Sequence, residues 1–140
     1  MDTEVSPMNP SQQSVHDLIV HDLMVQAVED LRTRSAELDD YEKFCATTDV
    51  NDGKAYPRDM YYALGLGGEV GEVLEKIKKS HRDGVLDVRQ LELELGDVMW
   101  YLSRLASFHD LTLRGVIAAN IEKLSSRRER GKLQGSGDNR

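Results

Sequence analysis

A chain of 140 residues is about one domain long and can close a hydrophobic core. Its 39% hydrophobic and 31% charged residues, with few aromatics and three prolines, suit helices better than a sandwich of short strands. A net charge of −7 argues against a protein that wraps nucleic acid, and no stretch approaches the roughly 20 apolar residues of a membrane span.

The first residues, Met1 to Ser6, have neither the basic patch nor the apolar run of a signal peptide, so a cytoplasmic protein is expected. Cys45 is the single cysteine and reads as a half-buried structural thiol in a reducing compartment. Charge is unevenly spread. Residues 1–53 carry 12 acids and 3 bases, whereas residues 54–140 carry 13 acids and 15 bases. The basic surplus gathers at Lys123, Arg127, Arg128, Arg130 and Lys132. Such a local cluster beside carboxylates suits a small polyanion better than a duplex.

The first dozen residues are rich in Ser, Pro, Asn and Gln and read as a disordered tail. From about Ser14 to Ser35, Val20, Met24, Ala27 and Leu31 follow helical spacing. Within it, His16-Asp-Leu-Ile-Val is followed at once by His21-Asp-Leu-Met-Val. Five residues turn a helix by about 500°, so the two histidines do not share a face as a metal pair would. A short helix is expected over Asp39–Thr47, with Leu38, Tyr41, Phe44 and Cys45 turned inward. The following Asp49-Val-Asn-Asp-Gly53 is a turn: as a calcium loop its Gly comes one position early, and Met60 stands where Glu is required.

Pro57 fits the first turn of a helix running to about Ser80, closed by His81-Arg-Asp-Gly84. Asp87 followed by Gln90 looks like a capping box, opening a helix that continues through Phe108. Thr112 can cap a last helix that stops at Gly131. The fold expected is all-α, an antiparallel bundle of about four core helices plus an N-terminal helix. The division expected is an accessory segment over 1–35, a catalytic helical domain over 36–130 and a flexible polar tail over 131–140.

Two copies of one pattern carry the chemistry. Glu69-Val-Gly-Glu-Val73 matches Glu94-Leu-Gly-Asp-Val98: acid, apolar, Gly, acid, Val. In the later helix Val88, Leu91, Leu95, Val98, Leu102 and Leu105 form an apolar seam, with Glu94, Asp97, Tyr101 and Arg104 each one residue before a seam position. In the earlier one Leu66, Val70, Val73 and Ile77 form the seam, with Glu69, Glu72 and Lys76 beside it. Residues three apart share a helix face, and the Asp83-Gly84 turn folds the two helices back on each other. Four converging carboxylates repel unless a cation sits among them, and oxygen ligands select a hard ion, magnesium or manganese. Gly71 and Gly96, each costing about 1 kcal/mol relative to Ala, suggest close approach of another helix or a ligand.

Other chemistries fail on detail. Di-iron bundles need Glu-x-x-His, but Gln13, Leu18, Lys78 and Ala106 stand three residues before the histidines. Gly65-Leu-Gly-Gly68 lacks a preceding strand and the third Gly of a dinucleotide loop, and no Lys-Ser/Thr follows it as in a P-loop.

Glu69-x-x-Glu72, a spacer of 21 residues and Glu94-x-x-Asp97, with Leu-Gly-Leu-Gly-Gly before and Val-Met-Trp-Tyr-Leu after, resemble the MazG-like all-α nucleotide pyrophosphohydrolases over about residues 36–130. The resemblance implies magnesium-dependent cleavage of NTP or dNTP to the monophosphate and pyrophosphate by a homodimer or homotetramer. It implies metal ligation by Glu69, Glu72, Glu94 and Asp97, with Glu69 or Glu72 as general base. It also implies an Asn and a Lys on the last helix, here Asn120 and Lys123, with Arg127 on the same face. Lys78 or Lys79 is a further phosphate contact, and Tyr101, with Trp100 or Tyr61, a contact for the base. A non-catalytic helical interaction module is the alternative from another class. Within the superfamily, hydrolysis of dUTP or of a phosphoribosyl nucleotide remains open.

Overall fold

The computed structural model describes residues 9–33 and 36–134. Five helices follow one another: α1 (Pro10–Thr33), α2 (Ala36–Thr48), α3 (Arg58–Asp83), α4 (Val88–Phe108) and α5 (Leu113–Glu129). No strand occurs among the described residues, so the protein is all-α. None of these helices is long and apolar enough to cross a membrane. Helix α1 opens at Pro10, not Ser14, because proline suits a first helical position and its missing N–H is lost to no partner. Of the tail expected over the first dozen residues, positions 10–12 belong instead to α1; residues 1–8, the side chains of Met24 and Leu31, and residues 135–140 lie outside the described residues.

The chain divides into two compact units, Ala36–Val116 and Met1–Ser35 with Ile117–Arg140. In the first, α3 and α4 form an antiparallel hairpin. Gly84 ends α3 in the left-handed conformation (φ 75°), its N–H donating to Ser80 O at 2.9 Å. Asp87 opens α4 by accepting from Gln90 N–H at 3.0 Å, but the Gln90 side chain accepts from Lys76 instead of closing the box. At the start of α5, Thr112 Oγ1 accepts from Gly115 N–H, and Glu42 Oε1 accepts from Leu113 N–H at 2.9 Å. A carboxylate from α2 thus satisfies a donor the helix leaves open.

Helix α2 packs on α4. Its Cys45 is fully buried, together with Tyr62, Ser103, Ala106 and Leu113. The loop after α2 is a run of turns in which Asn51 N–H donates to Asp49, Gly53 N–H to Asn51 and Lys54 N–H to Asp52. Asp49 also accepts from the Tyr62 hydroxyl and, at 2.9 Å, from the Arg104 guanidinium. Its side chain is 5% exposed and that of Arg104 15%. Burial alone would raise the Asp49 carboxyl. The hydrogen bonds from Tyr62, Asn51 N–H and Arg104 outweigh it and hold the group below its ordinary value.

The expected inward set is only partly inward. Phe44 is 58% exposed, and in the seams Val88, Leu95 and Val70 are 67%, 47% and 41% exposed. One hairpin with one short helix across it offers too little surface to cover two full seams.

In the second unit, Arg128 of α5 lies 3.4 Å from Asp17 of α1, and His21 Nδ1 lies 3.5 Å from Glu129. Arg127 is buried there, whereas Asn120 and Lys123 are exposed.

Candidate metal and nucleotide site

Glu69 of α3 and Glu94 and Asp97 of α4 meet where the hairpin aligns the two motifs. One carboxylate oxygen from each lies within 4.8 Å of the other two. Glu69 and Glu94 are half-buried and Asp97 is exposed. Burial first, and then the charges of Asp97, Glu94 and Glu72, push the Glu69 carboxyl above its ordinary value. Glu72 is exposed and stands one turn from the trio, close enough to be felt by Glu69 and Lys76 but outside the oxygen cluster.

Among the described residues Lys76 is paired with these acids, its Nζ sitting 2.9 Å from Glu94 Oε1. Lys78, the phosphate contact expected from the sequence, is not brought to the acids. Nine residues from Glu69 amount to two and a half helical turns, which place it on the opposite face. Its ammonium pairs with Glu75 at 3.2 Å.

Aromatic rings wall the space beside the carboxylates. Phe44, Thr48, Glu69, Asp97, Trp100 and Tyr101 line an open recess of about 470 Å³. The Trp100 indole donates to Thr48 Oγ1 at 2.7 Å, and Tyr101 packs edge-on against Trp100 at 4.9 Å between centroids. The Tyr101 phenol is pushed up to about 12 by its hydrogen bond with Tyr61, by burial, and by the charges of Glu69 and Asp97. Tyr41 of α2 rises to about 12 through burial, a hydrogen bond with Cys45 and the charge of Asp97. Both hydroxyls therefore stay neutral donors at physiological pH.

The close approach belongs to Gly65, not to the central motif glycines. A Cβ on Gly65 would fall 2.1 Å from Tyr101 Cε1, while at Gly71 and Gly96 it would meet nothing within 4 Å. Phe44, Thr48 and Tyr41 carried no sequence signal for this site, since α2 reaches it only by packing against α4.

The family model of the MazG nucleotide pyrophosphohydrolase domain matches residues 60–131, which hold all four motif acids. The chain belongs to the MazG family. The gene 37 protein of Mycobacterium phage L5 is 49% identical over 85 residues, covering 57% of this chain and 75% of that protein. No solved structure matches. The matched MazG region contains α4 entire and nearly all of α3, but α2 with its share of the recess lies before it.

Proposed function

We propose that this MazG protein is a magnesium-dependent nucleoside triphosphate pyrophosphohydrolase, cleaving NTP or dNTP to the monophosphate and pyrophosphate. The observation that carries the reading is the convergence of Glu69, Glu94 and Asp97 within 4.8 Å, in a member of a nucleotide pyrophosphohydrolase family. The donor set fits magnesium or manganese: it is all oxygen, it is anionic, and it is open on the Asp97 side, so that water and phosphate oxygens can complete an octahedron.

Glu69, Glu94 and Asp97 would hold the ion, with Glu72 joining through its second position on the motif. Bound there, the metal would offset phosphate charge and acidify water. Lys76 would balance the triphosphate once a cation relieves its pairing with Glu94. Glu69 or Glu72 would accept the proton of the water that attacks the α phosphorus, and the bond to the bridging oxygen breaks as pyrophosphate leaves. The recess between Phe44, Trp100 and Tyr101 would take the nucleobase by stacking. Asn120, exposed on α5, would hydrogen-bond ribose or phosphate, and Lys123 and Arg127 would neutralise phosphate oxygens, Lys123 from an exposed and Arg127 from a buried position. The catalytic domain would span 36–130, flanked by the accessory segment 1–35 and the tail 131–140.

The protein would work as a homodimer or homotetramer. Leucine, valine and methionine side chains stand exposed on both hairpin helices, among them Leu64, Leu74, Val88, Leu95 and Met99.

A panel of NTPs and dNTPs with magnesium tests the activity, phosphate being measured with and without added inorganic pyrophosphatase. Phosphate only in its presence identifies α–β cleavage. Glu72→Ala and Asp97→Ala should each lose at least about a hundredfold in rate. No signal with any nucleotide would leave the interaction-module reading in its place.

A further inference from the structure

Two rings of α4 wall the recess beside the acids, and each is held by a helix other than its own. Tyr101 lies in the slot that Gly65 of α3 leaves open, where a Cβ would strike the ring, and its hydroxyl shares a hydrogen bond with Tyr61. Trp100 is half-buried and is held from α2. Its indole N–H donates to Thr48 Oγ1 at 2.7 Å, joining residues 52 apart in sequence. Thr48 lies before the matched MazG region, residues 60–131.

The place of Thr48 makes it an acceptor for that bond. It is the last residue of α2, where backbone carbonyls find no N–H further along the helix. Its hydroxyl lies 3.1 Å from Cys45 O and 3.5 Å from Phe44 O, and Phe44 O already accepts from Thr47 at 2.7 Å. A hydroxyl has one proton to give, and an indole N–H can only donate. With the proton directed to Cys45 O, the lone pairs of Oγ1 are left for the indole. The two bonds form a relay from Trp100 through Thr48 to the carbonyl of Cys45, whose side chain is fully buried. Branching at Cβ restricts the Thr48 side chain further. Phe44, one helical turn earlier on the same face of α2, lines the same recess.

Thr48 is exposed, and a hydrogen bond at an exposed position contributes little to folding. What this one fixes is a ring. An indole free to turn about its two side-chain torsions must be ordered each time a planar base stacks on it. Ordering one such side chain weakens binding by about three- to tenfold. Held from α2, the ring meets the base already in place.

We propose that Thr48 is a positioning residue for nucleotide binding: it fixes the Trp100 indole as a preset wall for the nucleobase, which makes the end of α2 part of substrate recognition. The proposal deepens the reading of the recess given above and rests on it.

Trp100 is the single tryptophan of the chain, so every indole signal is its own. Thr48→Val keeps the branched shape and removes the acceptor, whereas Thr48→Ser keeps the acceptor. In proton–nitrogen correlation spectra of the full chain, the indole N–H of Thr48→Val should move upfield and exchange with water about threefold faster or more, with Thr48→Ser close to wild type. Quenching of Trp100 fluorescence by ribo- and deoxyribonucleoside monophosphates with magnesium then measures binding, since these proposed products are not consumed. Thr48→Val should bind about three- to tenfold more weakly, and Thr48→Ser within about twofold of wild type. Thermal midpoints of the three should agree within about 2 °C, which separates a loosened ring from a lost fold. An indole signal that Thr48→Val leaves in place overturns the positioning role, as does equal nucleotide affinity despite a moved signal. A larger fall in the midpoint of Thr48→Val makes the bond structural and overturns it too. In each case the recess reading survives. A wild type whose fluorescence no nucleotide alters overturns the base-stacking reading and the proposal with it.

Discussion

Lys76 sits among the acids in the position that a phosphate-neutralising cation would need, yet it is tied to Glu94 at 2.9 Å. Removing it takes one positive charge from a cluster of carboxylates, which should bind a divalent ion more tightly and a triphosphate more weakly. Lys76→Ala is therefore expected to lower the magnesium concentration for half-maximal activity and to raise the KM for nucleotide, each by roughly three- to tenfold after solvent screening. Magnesium titrations at saturating nucleotide and nucleotide titrations at saturating magnesium measure the two; movement of both in the same direction would count against the placement. Glycines make a second contrast. A methyl on Gly65 collides with the Tyr101 ring, so Gly65→Ala should cost about 2 kcal/mol and displace the ring that walls the recess. Gly96→Ala enters open space in a helix and should be neutral or stabilise by up to about 1 kcal/mol. Urea denaturation of the two variants would reverse this ordering if the close approach lay at the motif glycines.

Asp49, just after α2, ties the end of that helix to α3 and α4: its carboxylate joins Arg104 and Tyr62 across 55 and 13 residues of sequence. Breaking this buried pair by Asp49→Asn leaves Arg104 uncompensated, an expected loss of about 3 kcal/mol, or roughly 10 °C in Tm. Because the folded carboxyl lies below its ordinary value, its stabilisation is complete above the unfolded group's pKa of about 3.9 and is lost as pH falls through the lower folded value. The Tm gap between wild type and Asp49→Asn should thus be full at neutral pH and shrink below about pH 4, since a protonated Asp49 leaves Arg104 as unpaired as the amide does. A gap constant down to pH 3 would mean that the ion pair contributes nothing. Local signals announced the helices themselves: Asp87 before Gln90, Thr112 before Gly115, Gly84 at a left-handed stop. The convergence of Glu69, Glu94 and Asp97 was legible because each motif repeats the same offset from a seam within a single helix. The Asp49 clamp, the Thr48–Trp100 bond and the slot at Gly65 were not, because each joins elements that periodicity within one helix cannot relate. The pairing of Lys76 with Glu94 follows from the stripe of Glu69, Glu72 and Lys76 that the sequence already contained.

At the scale of the whole chain, apolar side chains on α3 and α4 stand exposed, such as Leu74 at 63% and Leu95 at 47%, while the fully buried set of the Ala36–Val116 unit is small. A protomer that leaves both seams half-covered is short of burial, and association would supply what the single chain lacks. Folding and assembly are then linked by mass action, so stability must depend on how much protein is present. Raising the concentration a hundredfold adds about 2.7 kcal/mol per dimer, an expected rise in Tm of roughly 5 °C. Calorimetric scans at the two concentrations measure it directly. A Tm independent of concentration in wild type would mean that the exposed seams are tolerated by a stable monomer. If wild type shifts and Leu64→Glu does not, the dependence belongs to α3. If both shift equally, the covering surface lies on α4, where Val88, Leu95 and Met99 form the other exposed row.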